Sequence, residues 1–74
     1  MEQLLQALRL IDVIDSKYSE ALLKGEFSVL KRLSEARHEM IGKIRVLYAI
    51  PGVVEFLDSG NVKKVRELLG VIEV

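Results

Sequence analysis

Any chemistry in this sequence has to come from its carboxylates and cations, because it holds no cysteine and one histidine, His38. Asp12 and Asp15 stand one helical turn apart, as do Glu35 and Glu39. Paired carboxylates at such spacings can move a proton or hold a cation. Neither pair is expected to do so here. Asp15 interrupts an apolar stripe while Asp12 points away from it, so the two share no pocket. Glu35 and Glu39 lie among Lys31, Arg32 and Lys43, which is the make-up of a solvated helix face, and Glu39 with Lys43 is a helix-supporting pair. A single imidazole and no thiolate cannot assemble a zinc site. No glycine-rich phosphate loop is present. The expectation is therefore no catalytic residue, no metal, no cofactor and no enzyme.

The cations offer a second chemistry. Lys31, Arg32, Lys43 and Arg45 gather on the outer side of the second predicted helix, and Lys63, Lys64 and Arg66 on the last. Apart from Arg66, these are the candidate phosphate contacts of a nucleic-acid-binding accessory protein. Interspersed acids, the lack of stacking aromatics and a balance of eleven basic against eleven acidic residues argue for a solvated surface instead. Pro51 to Leu69 traces a helix–turn–helix outline around Gly60. Phe56 stands where that motif needs a small residue, however, and Arg66 would face inward.

The elements that position these residues are helices. Leu4, Ala7, Leu8, Ile11, Ile14, Tyr18, Ala21 and Leu22 recur at spacings of three and four, which predicts an amphipathic helix over 2–24 capped by Gly25. Val29, Leu30, Leu33, Ala36, Met40, Ile41, Ile44, Leu47 and Tyr48 predict a second over 28–49, with Ser28 as N-cap and Pro51 beyond its end. Gly42 falls on the side away from this stripe. Pro51 suits the start of a short third helix over 52–58, which Gly60 breaks. Asn61 then caps a fourth over 61–69, where Val62, Val65, Leu69 and Ile72 keep helical spacing. The segments around Gly25 and Gly60 resemble each other weakly at an offset of about 35 residues, close to a solenoid period. The plainer reading is that two helix–glycine–helix turns need similar apolar neighbours.

The bend at Gly25 sets the first two helices antiparallel. With the turn centred near Glu26, facing residues have numbers that sum to about 52. This pairs Leu22 with Leu30, Ile11 with Ile41 and Leu8 with Ile44, so the stripes coincide in a register fixed by the turn alone. It also pairs Asp15 with Arg37, each inside its own apolar stripe. The two are expected to form a partly buried interhelical ion pair whose structural role is to hold register.

Leu8 to Asp15 reads LRLIDVID and resembles the opening of the small helical chorismate mutases, whose first helix carries an LRxxIDxID pattern. The resemblance would carry over Arg9 alone. The step from Arg9 to the acidic residues is one short of that pattern, and Gly25 ends a helix that the family continues. No membership follows.

Composition bounds the rest. A chain of 74 residues makes one domain at most and buries only about 60% of the surface its unfolded form exposes. Cysteine-free and half apolar, it needs a partner subunit as its extra source of stability. Leu5, Leu10, Val13, Leu23, Phe27, Val46, Tyr48, Ile50 and Phe56 form the candidate protein interface; most lie off the hairpin stripes, and Phe27, Tyr48 and Phe56 are the aromatic anchors. The longest uncharged run, Val46 to Val54, is far below the roughly 20 residues of a membrane helix. The start shows neither the basic nor the apolar character of a signal peptide, so the expected compartment is the cytoplasm. Abundant Lys, Arg and Glu with few amides is the direction heat-adapted proteins take. The whole predicts an all-α chain, a hairpin of two long helices with two short C-terminal ones, completing a helical bundle as a homodimer that serves protein–protein interaction.

Overall fold

A computed structural model describes residues 2–70. All regular structure among them is helical: α1 is Glu2–Lys24, α2 is Phe27–Tyr48, a single 3₁₀ turn covers Val53–Phe56, and α3 is Ser59–Leu69. The expected positions of Ile72 and its neighbours lie outside the described residues.

α1 ends as its sequence predicts. Gly25 takes φ +71°, its N–H donates to the Leu22 carbonyl, and the Glu26 N–H donates to the Ala21 carbonyl at 3.0 Å. These are the paired bonds of a Schellman cap. The chain reverses within that cap and enters α2 one residue earlier than expected. Ser28 is therefore inside the helix and caps nothing. Glu26 is the N-cap and makes no side-chain cap bond; its backbone carbonyl accepts from the Val29 and Leu30 N–H groups.

The expected helix over 52–58 does not form. Pro51 and Gly52 are instead the central residues of a tight turn, closed by the Val53 N–H donating to the Ile50 carbonyl at 3.2 Å. Gly52 has φ +86°, the value a type II turn requires at that position and one that no helix can continue. What remains is the one 3₁₀ turn. This also removes the first helix of the helix–turn–helix outline.

α3 begins two residues before the expected 61. Asp58, in extended backbone, is its N-cap, and its Oδ1 accepts from the Asn61 N–H at 2.8 Å. The Asn61 side-chain amide returns a bond to the other carboxylate oxygen at 3.3 Å. Asn61 thus supports the cap without being it, and Gly60 lies within the first turn of the helix. Gly60 does not share the positive φ of Gly25, so the two glycines of the apparent repeat do different jobs. Gly70 closes α3 with φ +72°.

The core is small and lies at one end. Leu4, Ala7, Leu8, Ile11, Ile44 and Val65 are buried together, with Met40, Ile41, Leu47, Tyr48, Val53, Leu57, Leu68 and Leu69 packed against them. All three helices meet there, where the termini of the hairpin diverge. Toward the bend only Ala21 is buried, and Leu22, expected to face Leu30, is 53% exposed.

Asp58→Ala removes the only side-chain cap that α3 has at its N-terminus. It is expected to cost roughly 1 kcal/mol of unfolding free energy, measured by urea denaturation, whereas Ser28→Ala changes stability by a few tenths at most.

Candidate interaction surface

Helix periodicity gives the hairpin two broad faces, and α3 occupies one. Lys64 Nζ donates to Asp12 Oδ2, fixing α3 to the side of α1 that bears Asp12. At 3.6 residues per turn, Asp12 lies nearly opposite Leu10 on α1. Leu10 belongs to the other face, where α1 and α2 alone enclose an open groove of about 710 Å³ lined by Ala7, Leu10, Met40, Val46 and Leu47, with Gln3, Gln6, Glu39, Gly42 and Lys43 at its margins. A smaller hollow of about 240 Å³ lies near the bend, over Ala21, Val29 and Leu33, bordered by Lys17, Glu20, Lys24 and Glu26. Leu10, Lys17 and Ala21 are seven and four residues apart, so one strip of α1 runs through both hollows. The result is a trough along the length of the hairpin, apolar in its floor and charged along its edges.

The candidate interface residues distribute unevenly about this trough. Leu10 and Val46 line it; Val13, one turn beyond Leu10, is 47% exposed. Leu23 and Phe27 project at the bend, 90% and 75% exposed, and Phe56 projects from the 3₁₀ turn at 76%. Ile50 is exposed beside the Pro51 turn. Leu5 is half-buried, and Tyr48 packs against the core, so neither is an exposed anchor. Tyr48 packs inward because it belongs to the apolar stripe of α2, whereas the stripe of α1 does not set Leu5 apart from Leu10 or Val13.

Asp15 and Arg37 come together as the register requires, Arg37 Nε donating to Asp15 Oδ1 at 2.8 Å. The pair is not sequestered from water: the side chains remain 48% and 39% exposed. Each side chain is thus partly covered, and the contact joins α1 to α2 at the expected level. Lys24 and Glu20 form a further pair at 2.8 Å along α1. The hydrogen bond from Lys24 holds the Glu20 carboxyl below its ordinary range, and the same bond raises Lys24.

Of the candidate phosphate contacts, Lys64 is engaged by Asp12. Lys31, Arg32, Lys43, Arg45 and Lys63 are exposed, but Lys43 edges the trough. The set therefore spreads over more than one side of the molecule and does not form a stripe. Sequence reasoning missed the Asp12–Lys64 pair. The signal was there in two unlike charges off the stripes, but only the packing of α3 brings them together. Among the described residues, no cluster of three or more acidic or histidine side chains is arranged to hold a metal ion, and no helix is long and apolar enough to cross a membrane.

Comparison with protein-family models, with curated proteins and with solved structures finds no match in any of the three.

Because the Asp15–Arg37 pair is half in water, a double-mutant cycle with Asp15→Ala and Arg37→Ala is expected to return a coupling of about 0.2–1 kcal/mol. A coupling of several kcal/mol in denaturant titrations would mean that the pair is buried in solution.

Proposed function

We propose that this chain is a small helical protein–protein interaction module that acts as a homodimer, working in the cytoplasm. The observation that carries the reading is surplus surface. The accessible area is 5589 Å², whereas a compact monomer of 8.4 kDa exposes roughly 4,600 Å². The difference, about 1,000 Å², is close to the roughly 800 Å² that each partner contributes to a standard protein interface. Shape supports the same reading. The radius of gyration is 13.6 Å and the extents are 42 × 27 × 16 Å, against a radius near 11 Å for a compact domain of this length. The molecule is a slab about one helix layer thick over much of its length. Such a slab leaves apolar side chains exposed on both sides, and a second layer is the usual remedy.

The anchors of this function are the exposed apolar residues of the hairpin and the 3₁₀ turn: Leu10, Val13, Leu23, Phe27, Val46, Ile50 and Phe56. Some of them serve the homodimer, and the remainder are available to a further partner.

Light scattering on the purified chain at micromolar concentration is expected to give twice the 8.4 kDa chain mass. The midpoint of thermal unfolding should rise with protein concentration, because association stabilises the folded form. A monomer at millimolar concentration, with a concentration-independent midpoint, would remove the reading.

A further inference from the structure

We infer that the trough between α1 and α2, on the face opposite α3, is the seam for a second copy of this chain, related by a two-fold axis that runs along the hairpin so that both bends lie at the same end. The inference rests on the homodimer reading and adds the face, the direction and the contacts.

The choice of face follows from what is already covered. α3 and the 3₁₀ turn pack against one side of the hairpin core. The trough on the other side is lined by α1 and α2 residues only. It is long enough for a helix: about 33 Å for the 22 residues of α2. Its floor carries the small side chains Ala7 and Ala21, which let an opposing helix approach. Gly42, at the margin, faces open space: beyond its own stretch of helix, no atom lies within 4 Å of where a Cβ would stand.

The choice of direction follows from charge. A two-fold axis along the hairpin keeps every residue at its own level. α1 then lies over the partner's α2, antiparallel, and facing residues obey the same sum of about 52 that brings Asp15 to Arg37 within a chain. Lys17 comes level with the partner's Glu35, and Glu20 with the partner's Arg32. Symmetry repeats both pairs. Lys17 and Glu20 edge the narrow end of the trough. Arg32 lies eleven residues before Lys43, and Glu35 eleven before Val46, so both continue strips of α2 that line the wide end. Arg32 and Glu35 are exposed, and neither takes part in the ion pairs Lys24–Glu20, Arg37–Asp15 and Lys64–Asp12. The alternative two-fold, perpendicular to the helices, reverses the copies and sets α2 on α2 about its midpoint. That arrangement opposes Arg32 to the partner's Lys43 and brings Glu35 within one residue of the level of the partner's Glu39. Like charges in register oppose association. The parallel arrangement therefore matches unlike charges at two levels near the bend, against one like pair, Arg9 with the partner's Lys43, at the other end, and it leaves both α3 helices outside a four-helix bundle.

Three measurements on the full chain test this. Leu10→Glu and Val46→Glu each place a charge in the trough at a site already partly exposed, so helicity by circular dichroism should persist while the dimer dissociates, its Kd rising at least about a hundredfold. Leu23→Glu, off the trough, should leave Kd within about threefold. Glu20→Arg and Arg32→Glu should each weaken self-association by about fivefold or more, and an equimolar mixture of the two should form the heterodimer in preference to either homodimer. A spin label on Gln3→Cys, in a chain free of native cysteine, should report a distance between copies below about 25 Å, where the reversed arrangement gives about 35 Å or more. A dimer that survives Leu10→Glu and Val46→Glu, or the long label distance, overturns the seam while leaving the homodimer reading in place. A wild-type chain that scatters as a monomer overturns both.

Discussion

The molecule is held by one junction. Leu4, Leu8 and Ile11 of α1 meet Ile44 of α2 and Val65 of α3 in a cluster from which water is excluded, and every other feature hangs from it. Apolar burial contributes roughly 25 cal/mol per Å², so a junction of this size can order the chain around it but not a hairpin some 33 Å long. The bend is tied mainly by backbone bonds and by the burial of Ala21. From this asymmetry come the elongated shape, the exposed leucines near Gly25 and the open trough.

The ion pairs describe how the junction is kept in place more than how it is stabilised. Asp15–Arg37 joins α1 to α2 at one level, and Asp12–Lys64 joins α3 to one side of α1. Both remain accessible to water, where each contributes about 0–1 kcal/mol. Their value is that they oppose sliding and rotation of helices whose apolar stripes would tolerate either. By occupying one face only, α3 also determines which face of the hairpin is left for another molecule.

Periodicity made the hairpin legible before any coordinates. The stripes through Leu8 and Ile44, and the glycine after Lys24, specify two helices and their register, and that register brought Asp15 to Arg37. What sequence reading missed was decided by backbone dihedrals at single residues. Pro51 fits either the first turn of a helix or the first corner of a turn, and the φ of Gly52 makes it the latter. Asp58, Gly60 and Asn61 are all plausible boundary residues. Only the bond from the Asn61 N–H to the Asp58 carboxylate shows which of them starts α3. The interface candidates were legible as apolar residues, mostly off the stripes, but only Tyr48, which belongs to the α2 stripe, could be placed inward from its spacing. Leu5 is half-buried and Leu10 and Val46 are exposed, a difference that the stripes do not encode.

If the proposed second copy seats in the trough, the bend half of the hairpin depends on it while the junction does not. Amide hydrogen exchange, followed as the protein is diluted through its association range, reads that difference directly, since local opening reports local stability. The amides of residues 17–24 and 29–36 should lose protection on dilution, while those around Leu8, Ile44 and Val65 retain theirs until far lower concentration. Equal protection at the bend and the junction, unchanged by dilution, would mean that the hairpin needs no second copy.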